Sequence, residues 1–93
     1  MSVTAFAQNR LVSGEIYDKD TKDPVMQVTI QLLKSDSTYV TGGISDENGL
    51  FSVVAPANGD YLLKISSIGY RTSFRHLKLV DDKNLPMGKI AIA

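Results

Sequence analysis

Apolar and polar residues alternate along most of this chain. The clearest run is 26–34, in which the apolar side chains share one parity: Met26, Val28, Ile30 and Leu32. Because successive side chains of a strand point to opposite faces, this alternation predicts a strand with one buried face. No segment shows the i, i+3, i+4, i+7 spacing of an amphipathic helix over a useful length. The pattern therefore predicts an all-β protein.

Two turn signals divide the segment 41–70, and each contains the pair Asn-Gly. Asn and Gly tolerate positive φ at low cost, so this pair is the strongest short-range signal for a tight turn. Alternating apolar residues follow both turns, which predicts three antiparallel strands in a meander. A third turn is expected before Tyr70. The predicted turn residues are Asp46, Asn48, Gly49, Asn58, Gly59 and Gly69.

The pattern predicts seven short strands at a spacing of about ten residues, which is typical of a β-sandwich. The predicted ranges are 11–18, 26–34, 39–45, 50–55, 60–67, 71–80 and 87–93. Two sheets of a sandwich pack their apolar faces together about 10 Å apart. The side chains predicted to form this core are Val12, Ile16, Val28, Ile30, Leu32, Phe51, Val53, Tyr61, Leu63, Ile65 and Ile90.

Glycines inside two of these strands predict irregular backbone. Gly14 interrupts the first strand, which indicates a bulge or close approach by another part of the protein. The pair Gly42-Gly43 favours a bulge in the third strand, where Val40 and Ile44 are expected to face inward.

The sixth strand has an ambiguous parity because Phe74 is out of phase with Leu77 and Leu79. Either a bulge lies near Arg75–His76, or Phe74 belongs to the outer face. Tyr70 precedes this strand, and its hydroxyl is expected to reach a neighbouring backbone group, as buried tyrosine hydroxyls usually find a partner.

Length and charge narrow the functional classes. Ninety-three residues make one domain, and ten basic residues balance ten acidic ones. A nucleic-acid-binding domain usually carries a basic stripe. Here the nearest thing to a cluster is Arg71, Arg75 and Lys78, which we interpret as a solvated strand face. The absence of cysteine excludes thiol catalysis, disulfides and thiolate metal sites.

Candidate chemistry is sparse. His76 is the only histidine, and a catalytic triad or a histidine-rich zinc site would need partners for it that the sequence does not offer; no serine lies in a G-x-S-x-G elbow. The loop 18–24 carries three aspartates but lacks the Gly and the closing Glu of a calcium loop. We therefore predict no catalytic, metal-binding or cofactor-binding residue. A sugar site built on the outer-face rings of Tyr17, Tyr39 or Phe74 stays open as an alternative.

An ordered set of short motifs resembles the carboxypeptidase-regulatory-like domain over residues 10–93. The motifs are V-x-G-x-I at 12–16, T-x-x-P at 21–24, V-T-I-Q-L at 28–32, S-D-E-N-G-x-F at 45–51, Pro56, G-x-Y-x-L at 59–63, S-x-x-G-Y at 66–70 and I-x-I at 90–92. The resemblance implies a seven-stranded antiparallel Greek-key sandwich of the prealbumin (transthyretin-like) type. Two positions depart from the family pattern, since Lys22 and Gln27 stand where glycine is usual.

The same resemblance implies a non-enzymatic role. Such domains often stand at the N-terminus of Bacteroidetes-type outer-membrane barrel proteins, many of them TonB-dependent nutrient receptors, and lie in the periplasm. The expected role is that of a spacer or protein-docking module that accepts a partner strand at a free sheet edge. The predicted edges are the strand with Gly42-Gly43 and the strand 71–79. Alternatives are a small carbohydrate-binding module and a folding-support subdomain of a metallocarboxypeptidase.

Residues 5–8, Ala-Phe-Ala-Gln, fit the small-x-small pattern of a signal-peptidase site. We expect residues 1–9 to be a disordered remnant of an export signal, with the mature chain beginning at Gln8 and the domain occupying 10–93. The alternative is a frayed N-terminus that happens to contain two alanines.

Overall fold

The computed structural model describes residues 10–81 and 83–93, so the expectation for residues 1–9 lies outside the described residues. Within the described residues every regular element is a strand. The strands are β1 (Arg10–Asp18), β2 (Thr29–Lys34), β3 (Tyr39–Ile44), β4 (Leu50–Ala55), β5 (Gly59–Ser66), β6 (Ser73–Leu79) and β7 (Leu85–Ile92).

The strands form two sheets, one in the order β4-β1-β7 and the other in the order β3-β2-β5-β6. The predicted all-β sandwich is confirmed. Every neighbouring pair is antiparallel except β1 and β7, which run parallel. The predicted meander is wrong, because β4 pairs with β1 in the opposite sheet and not with β3 or β5. Alternation defines which face of a strand is buried, but it does not define the neighbouring strand.

The apolar faces of both sheets form one core between them. All the side chains predicted for the core are buried, and Phe51 and Tyr61, its aromatic members, are only 5% and 6% exposed. Burial at this level removes most of a large apolar side chain from water, the main stabilising contribution in a domain of this size. The core also includes Ala55, Leu77, Leu79 and Ile92.

Two apolar residues expected inside are exposed. Ile44 is 64% exposed because the register between β2 and β3 shifts at Val40, which reverses the parity of the residues that follow. The predicted bulge is thus present at Val40, whereas Gly42 and Gly43 pair regularly. Met26 is 52% exposed because it lies before β2, and the positive φ of Gln27 interrupts the extended backbone between it and the buried Val28.

Gly14 provides the close approach expected of it. A Cβ at this position would lie 2.8 Å from Cε2 of Phe51, so the ring packs directly on the β1 backbone. The register between β1 and β7 also shifts there, and Gly88 of β7 adopts a φ of 74°. In β6 the register is regular and Phe74 is half exposed, so Phe74 on the outer face is the correct one of the two predicted alternatives.

The predicted turn residues take different roles. Oδ1 of Asp46 accepts hydrogen bonds from the backbone N–H groups of Asn48 and Leu50, both at 2.9 Å. Positive φ falls on the glycines of the two Asn-Gly pairs, 78° at Gly49 and 146° at Gly59, and not on the asparagines. Gly69 has a φ of 89° in the turn before Tyr70.

Candidate docking surface

The loop between β1 and β2 is held by one carboxylate. Oδ1 of Asp18 accepts hydrogen bonds from the backbone N–H groups of Asp20 at 2.8 Å and Thr21 at 3.0 Å. Oδ2 accepts a bond of 2.8 Å from the Tyr70 hydroxyl. The expected partner of Tyr70 was a backbone group, and the structure places a side-chain carboxylate there instead.

These bonds set the acidity of both groups. The backbone N–H of Thr21, the Tyr70 hydroxyl and the backbone N–H of Asp20 lower the pKa of Asp18, because each stabilises the charged carboxylate. The bond to Asp18 raises the pKa of Tyr70, because ionising the hydroxyl would remove the donated proton. Within the described residues no group of three or more His, Cys, Asp or Glu side chains could hold a metal ion. Through its three hydrogen bonds Asp18 organises the loop.

Ser45 joins this loop to the turn between β3 and β4. Its buried hydroxyl donates a hydrogen bond of 2.8 Å to the carbonyl of Val25 and accepts one of 2.9 Å from the N–H of Val28. Its backbone adds two more bonds, to the carbonyl of Val28 and from the N–H of Gln27. In the sequence Ser45 is only the first residue of the S-D-E-N-G-x-F motif, and no pattern there marks it as buried.

The two positions that depart from the family pattern carry backbone strain. Lys22 has a φ of 69° and Gln27 a φ of 59°, so both adopt the left-handed conformation that glycine accepts at low cost. The loop keeps the geometry of a glycine-containing turn although the glycines are absent. At Lys22 the side chain that replaces glycine makes two contacts. Its ammonium donates a hydrogen bond of 3.0 Å to the Lys19 carbonyl and lies 5.9 Å from the centroid of the Tyr17 ring.

Four strands form sheet edges: β3 and β6 in one sheet, β4 and β7 in the other. The predicted edges, β3 and β6, are confirmed. On one side of the sandwich β3 and β4 shield each other, since a Cβ at Gly43 would lie 3.3 Å from the Ser52 carbonyl. On the other side β7 contains Pro86 and the irregular backbone at Gly88, features that oppose strand addition. The edge with the most regular backbone is therefore β6, with seven uninterrupted pairs to β5.

Side chains on β6 are basic and exposed. His76 and Lys78 lie on the outer face opposite Leu62 and Asp60 of β5. Arg75 lies opposite Leu63 with the parity of the core, yet it is exposed because the sandwich is open at this edge. In the part of the chain that the structure describes, neither Arg75 nor the preceding Arg71 forms an ion pair.

The outer face of the same sheet carries two exposed rings in one row across the strands. A Cβ at Gly42 would lie 3.0 Å from the Tyr39 hydroxyl, so the Tyr39 ring covers Gly42. From Gly42 the row continues through Gln31 and Lys64 to Phe74. Tyr17 lies on the other sheet and is not part of this row.

A shallow groove of about 500 Å³ lies where β2 begins and β5 ends. Its lining carries amide, hydroxyl and apolar side chains, with no acid, base or imidazole: Met26, Gln27, Thr29, Ser66, Ser67 and Ile68. Ile68 is fully exposed at the rim. His76 pairs with Leu62, four residues before Ser66, and so lies away from the groove along the sheet. The groove therefore does not bring together the groups that acid–base or nucleophilic chemistry needs.

No helix among the described residues is long and apolar enough to cross a membrane.

Comparisons with known proteins agree with this geometry. A collagen adhesin of Staphylococcus aureus is 38% identical over 63 residues, which cover 57% of this chain and only 5% of the adhesin. The pilus 2b backbone protein of group B streptococcus superposes with a TM-score of 0.68 at 12% identity, over 90% of this chain and 40% of the pilin chain. The 5-hydroxyisourate hydrolase of Klebsiella pneumoniae superposes with a TM-score of 0.66 at 16% identity, over 88% of this chain and 84% of the hydrolase.

At these identities the two solved structures share the fold alone with this chain. The family of proteins described as the CarboxypepD_reg-like domain matches residues 12–89, which is most of the chain. Every motif noted in the sequence except I-x-I at 90–92 falls within that match. The chain therefore belongs to the carboxypeptidase-regulatory-like domain family.

Proposed function

We propose that this chain is a non-enzymatic accessory domain of an outer-membrane receptor, of the TonB-dependent, nutrient-uptake type. It lies on the periplasmic side of the outer membrane and serves as a spacer and protein-docking module. Membership of the carboxypeptidase-regulatory-like family supports the accessory role. The open β6 edge supports docking, and the parallel pairing of the first and last strands supports the role of spacer.

The parallel pairing is the observation that carries the spacer role. Because β1 and β7 run side by side in the same direction, the chain enters the sandwich at one end and leaves at the other. Arg10 starts β1 beside Pro56 and Asn58, whereas the carbonyl of Ala93 accepts a bond of 2.7 Å from the N–H of Arg71 at the opposite end. A nine-residue strand separates the two ends by roughly 25–30 Å. Segments fused on either side would be held apart by that distance.

An in-frame deletion of the codons for 10–93 in the native host tests this function. The remaining receptor should still reach the outer membrane, but its nutrient uptake should fall. Replacing the domain with a flexible linker of equal span separates the two roles, since it restores spacing but not docking. A reading frame that encodes no outer-membrane barrel, or a cytoplasmic location of the protein, would overturn the proposal.

A small carbohydrate-binding module is the second candidate, and the Tyr39–Phe74 row favours it. Exposed rings bind sugar faces, and Gln31 and Lys64 between them could bond hydroxyl groups. Three strand spacings place the rings about 14 Å apart, which suits an oligosaccharide that crosses the strands. Calorimetry with glycan fragments should show binding that Tyr39→Ala and Phe74→Ala each abolish, while Tyr17→Ala on the other sheet leaves it unchanged. Equal loss with Tyr17→Ala, or no binding, would exclude this role.

A further inference from the structure

We propose that β6 is a docking site for an extended acidic segment of a partner protein, which adds as an antiparallel fifth strand to the four-stranded sheet. This inference rests on the docking role proposed above and names its edge and its partner chemistry. Strand addition uses the backbone N–H and C=O groups that an edge strand leaves unpaired. On β6 the N–H and C=O groups of every second residue point away from β5. The seven residues of the strand contain neither proline nor a bulge.

Charge selects the partner. The segment 71–79 carries Arg71, Arg75 and Lys78 and no acidic residue. Pairing of β6 with β6 of a second copy would bring these cations together, so the edge disfavours self-association. An acidic strand would instead gain opposite-charge pairs, because the two arginines form no ion pair within the described residues. Residues 1–9 of this chain contain no acidic residue and lack the required charge.

The register of β6 specifies the order of the partner residues. In an antiparallel added strand, residues directly opposite share a face of the sheet. An acidic residue opposite Lys78 would be followed by an apolar residue opposite Leu77, which extends the core. One unrestricted residue opposite His76 follows, then an acidic residue opposite Arg75. An apolar residue opposite the half-exposed ring of Phe74 completes the motif.

A seven-residue peptide, Thr-Glu-Val-Thr-Glu-Val-Thr with blocked ends, presents this order and serves as the probe. Amide NMR of the 93-residue chain at low salt should show shifts confined to 71–79 and the facing residues of β5, with slowed exchange at alternate β6 amides. The peptide with both glutamates changed to lysine should bind at least about tenfold more weakly, because like charges would then face each other.

Two proline peptides separate strand pairing from simple charge attraction. One replaces the central Thr and the other the first Val, positions of opposite parity, so one of them must remove a ladder bond. That peptide should lose binding although its charge is unchanged. Equal binding by both proline peptides would overturn strand addition and leave only a charged patch.

Variants of the protein complete the test. Arg75→Glu should weaken the acidic peptide at least about tenfold, whereas Lys34→Glu, an exposed charge reversal at the end of β2, should leave it unchanged. The double variant Arg75→Glu, Lys78→Glu should reverse the preference and bind the lysine peptide. Shifts centred on β3 or on the outer face, or no binding at millimolar peptide, would overturn the assignment of β6. These outcomes leave the accessory role to the deletion experiment, which measures it independently.

Discussion

The hydroxyl of Tyr70 donates a hydrogen bond of 2.8 Å to Oδ2 of Asp18, across 52 residues of sequence. This bond ties the turn between β5 and β6 to the loop between β1 and β2. The end of β7 lies between these two segments, because Lys19 donates to the carbonyl of Ile92 and Arg71 donates to that of Ala93. The side chains of one aspartate and one tyrosine thus organise the end of the sandwich at which the last strand finishes.

Removing this hydroxyl should lower stability in a pH-dependent way. Asp18 has a lowered pKa, so its contribution is present above its ordinary pKa near 4 and is lost as pH falls through the folded value. Tyr70 has a raised pKa, so its contribution is present below about 10 and is lost as pH rises through the folded value. Tyr70→Phe should therefore unfold at lower urea than the wild type, with the largest difference between about pH 4 and 10.

Urea unfolding at acidic, neutral and alkaline pH measures that difference. NMR titration of the Asp18 carboxyl adds a second readout, because its pKa should rise in Tyr70→Phe but stay below the ordinary value while the N–H groups of Asp20 and Thr21 remain bonded. Tyr39→Phe, which removes an exposed hydroxyl, is the control and should have no effect. Identical midpoints for Tyr70→Phe and wild type at pH 7 would contradict the structural role of this bond.

Restoring glycine at Gln27 should stabilise the protein. Gln27 has a φ of 59°, and a side chain in the left-handed region costs roughly 1 kcal/mol relative to glycine. Gln27→Gly should therefore raise the free energy of unfolding by up to about 1 kcal/mol, since the greater flexibility of the unfolded chain offsets part of the gain. Gln31→Gly in β2 is the matched control and should destabilise, because glycine weakens a strand interior. Destabilisation by both changes would mean that the loop gains nothing from glycine.

Two phenylalanines with opposite environments test the register of the core. Phe51 is 5% exposed against Gly14, and Phe51→Ala should cost about 3–5 kcal/mol. Phe74 is 52% exposed on the outer face, and Phe74→Ala should cost well under half as much. Chemical denaturation of the two variants side by side measures the contrast, and similar losses would place both rings in similar surroundings.

Truncating Ser45 should destabilise the loop that it holds. Ser45→Ala leaves the N–H of Val28 and the carbonyl of Val25 without their side-chain partner in a buried setting, at a cost of about 1–3 kcal/mol. Ser52→Ala on the exposed face of β4 should change stability by less than about 0.5 kcal/mol. Hydrogen exchange at the Val28 amide should accelerate in Ser45→Ala alone. Unchanged protection there would show that the serine hydroxyl does not hold the loop.

Much of the fold could be predicted from the alternation of apolar and polar residues, because a strand with one buried face has an apolar residue at every second position. That rule located the buried positions of β2, β4 and β5, from Ile30 to Ile65. It failed at Ile44, because the extra residue at Val40 reverses the parity in a way that the sequence does not mark. It also failed for the meander, since the turn at Asp46–Gly49 carries the chain into the other sheet, where Ile16 donates a hydrogen bond to the Gly49 carbonyl.

The candidate docking surface was only partly predictable. The segment 71–79 was predicted as a possible edge together with β3, but only the topology shows that β3 and β4 shield each other and leave β6 open. The Asp18–Tyr70 bond could not be found from sequence, because it depends on two loops that meet only after the sheets have packed. Lys22 and Gln27 stand where glycine is usual, and the positive φ at both explains why the family favours glycine there.

The parallel neighbours β1 and β7 also determine how the domain would respond to mechanical force. If a flanking segment pulled on residue 10 while another pulled on residue 93, the load would act along both strands in opposite directions. The hydrogen bonds between them would then be sheared together and would not open one after another, as they do when a hairpin is unzipped. A domain loaded in this geometry resists extension until the β1–β7 ladder yields at once.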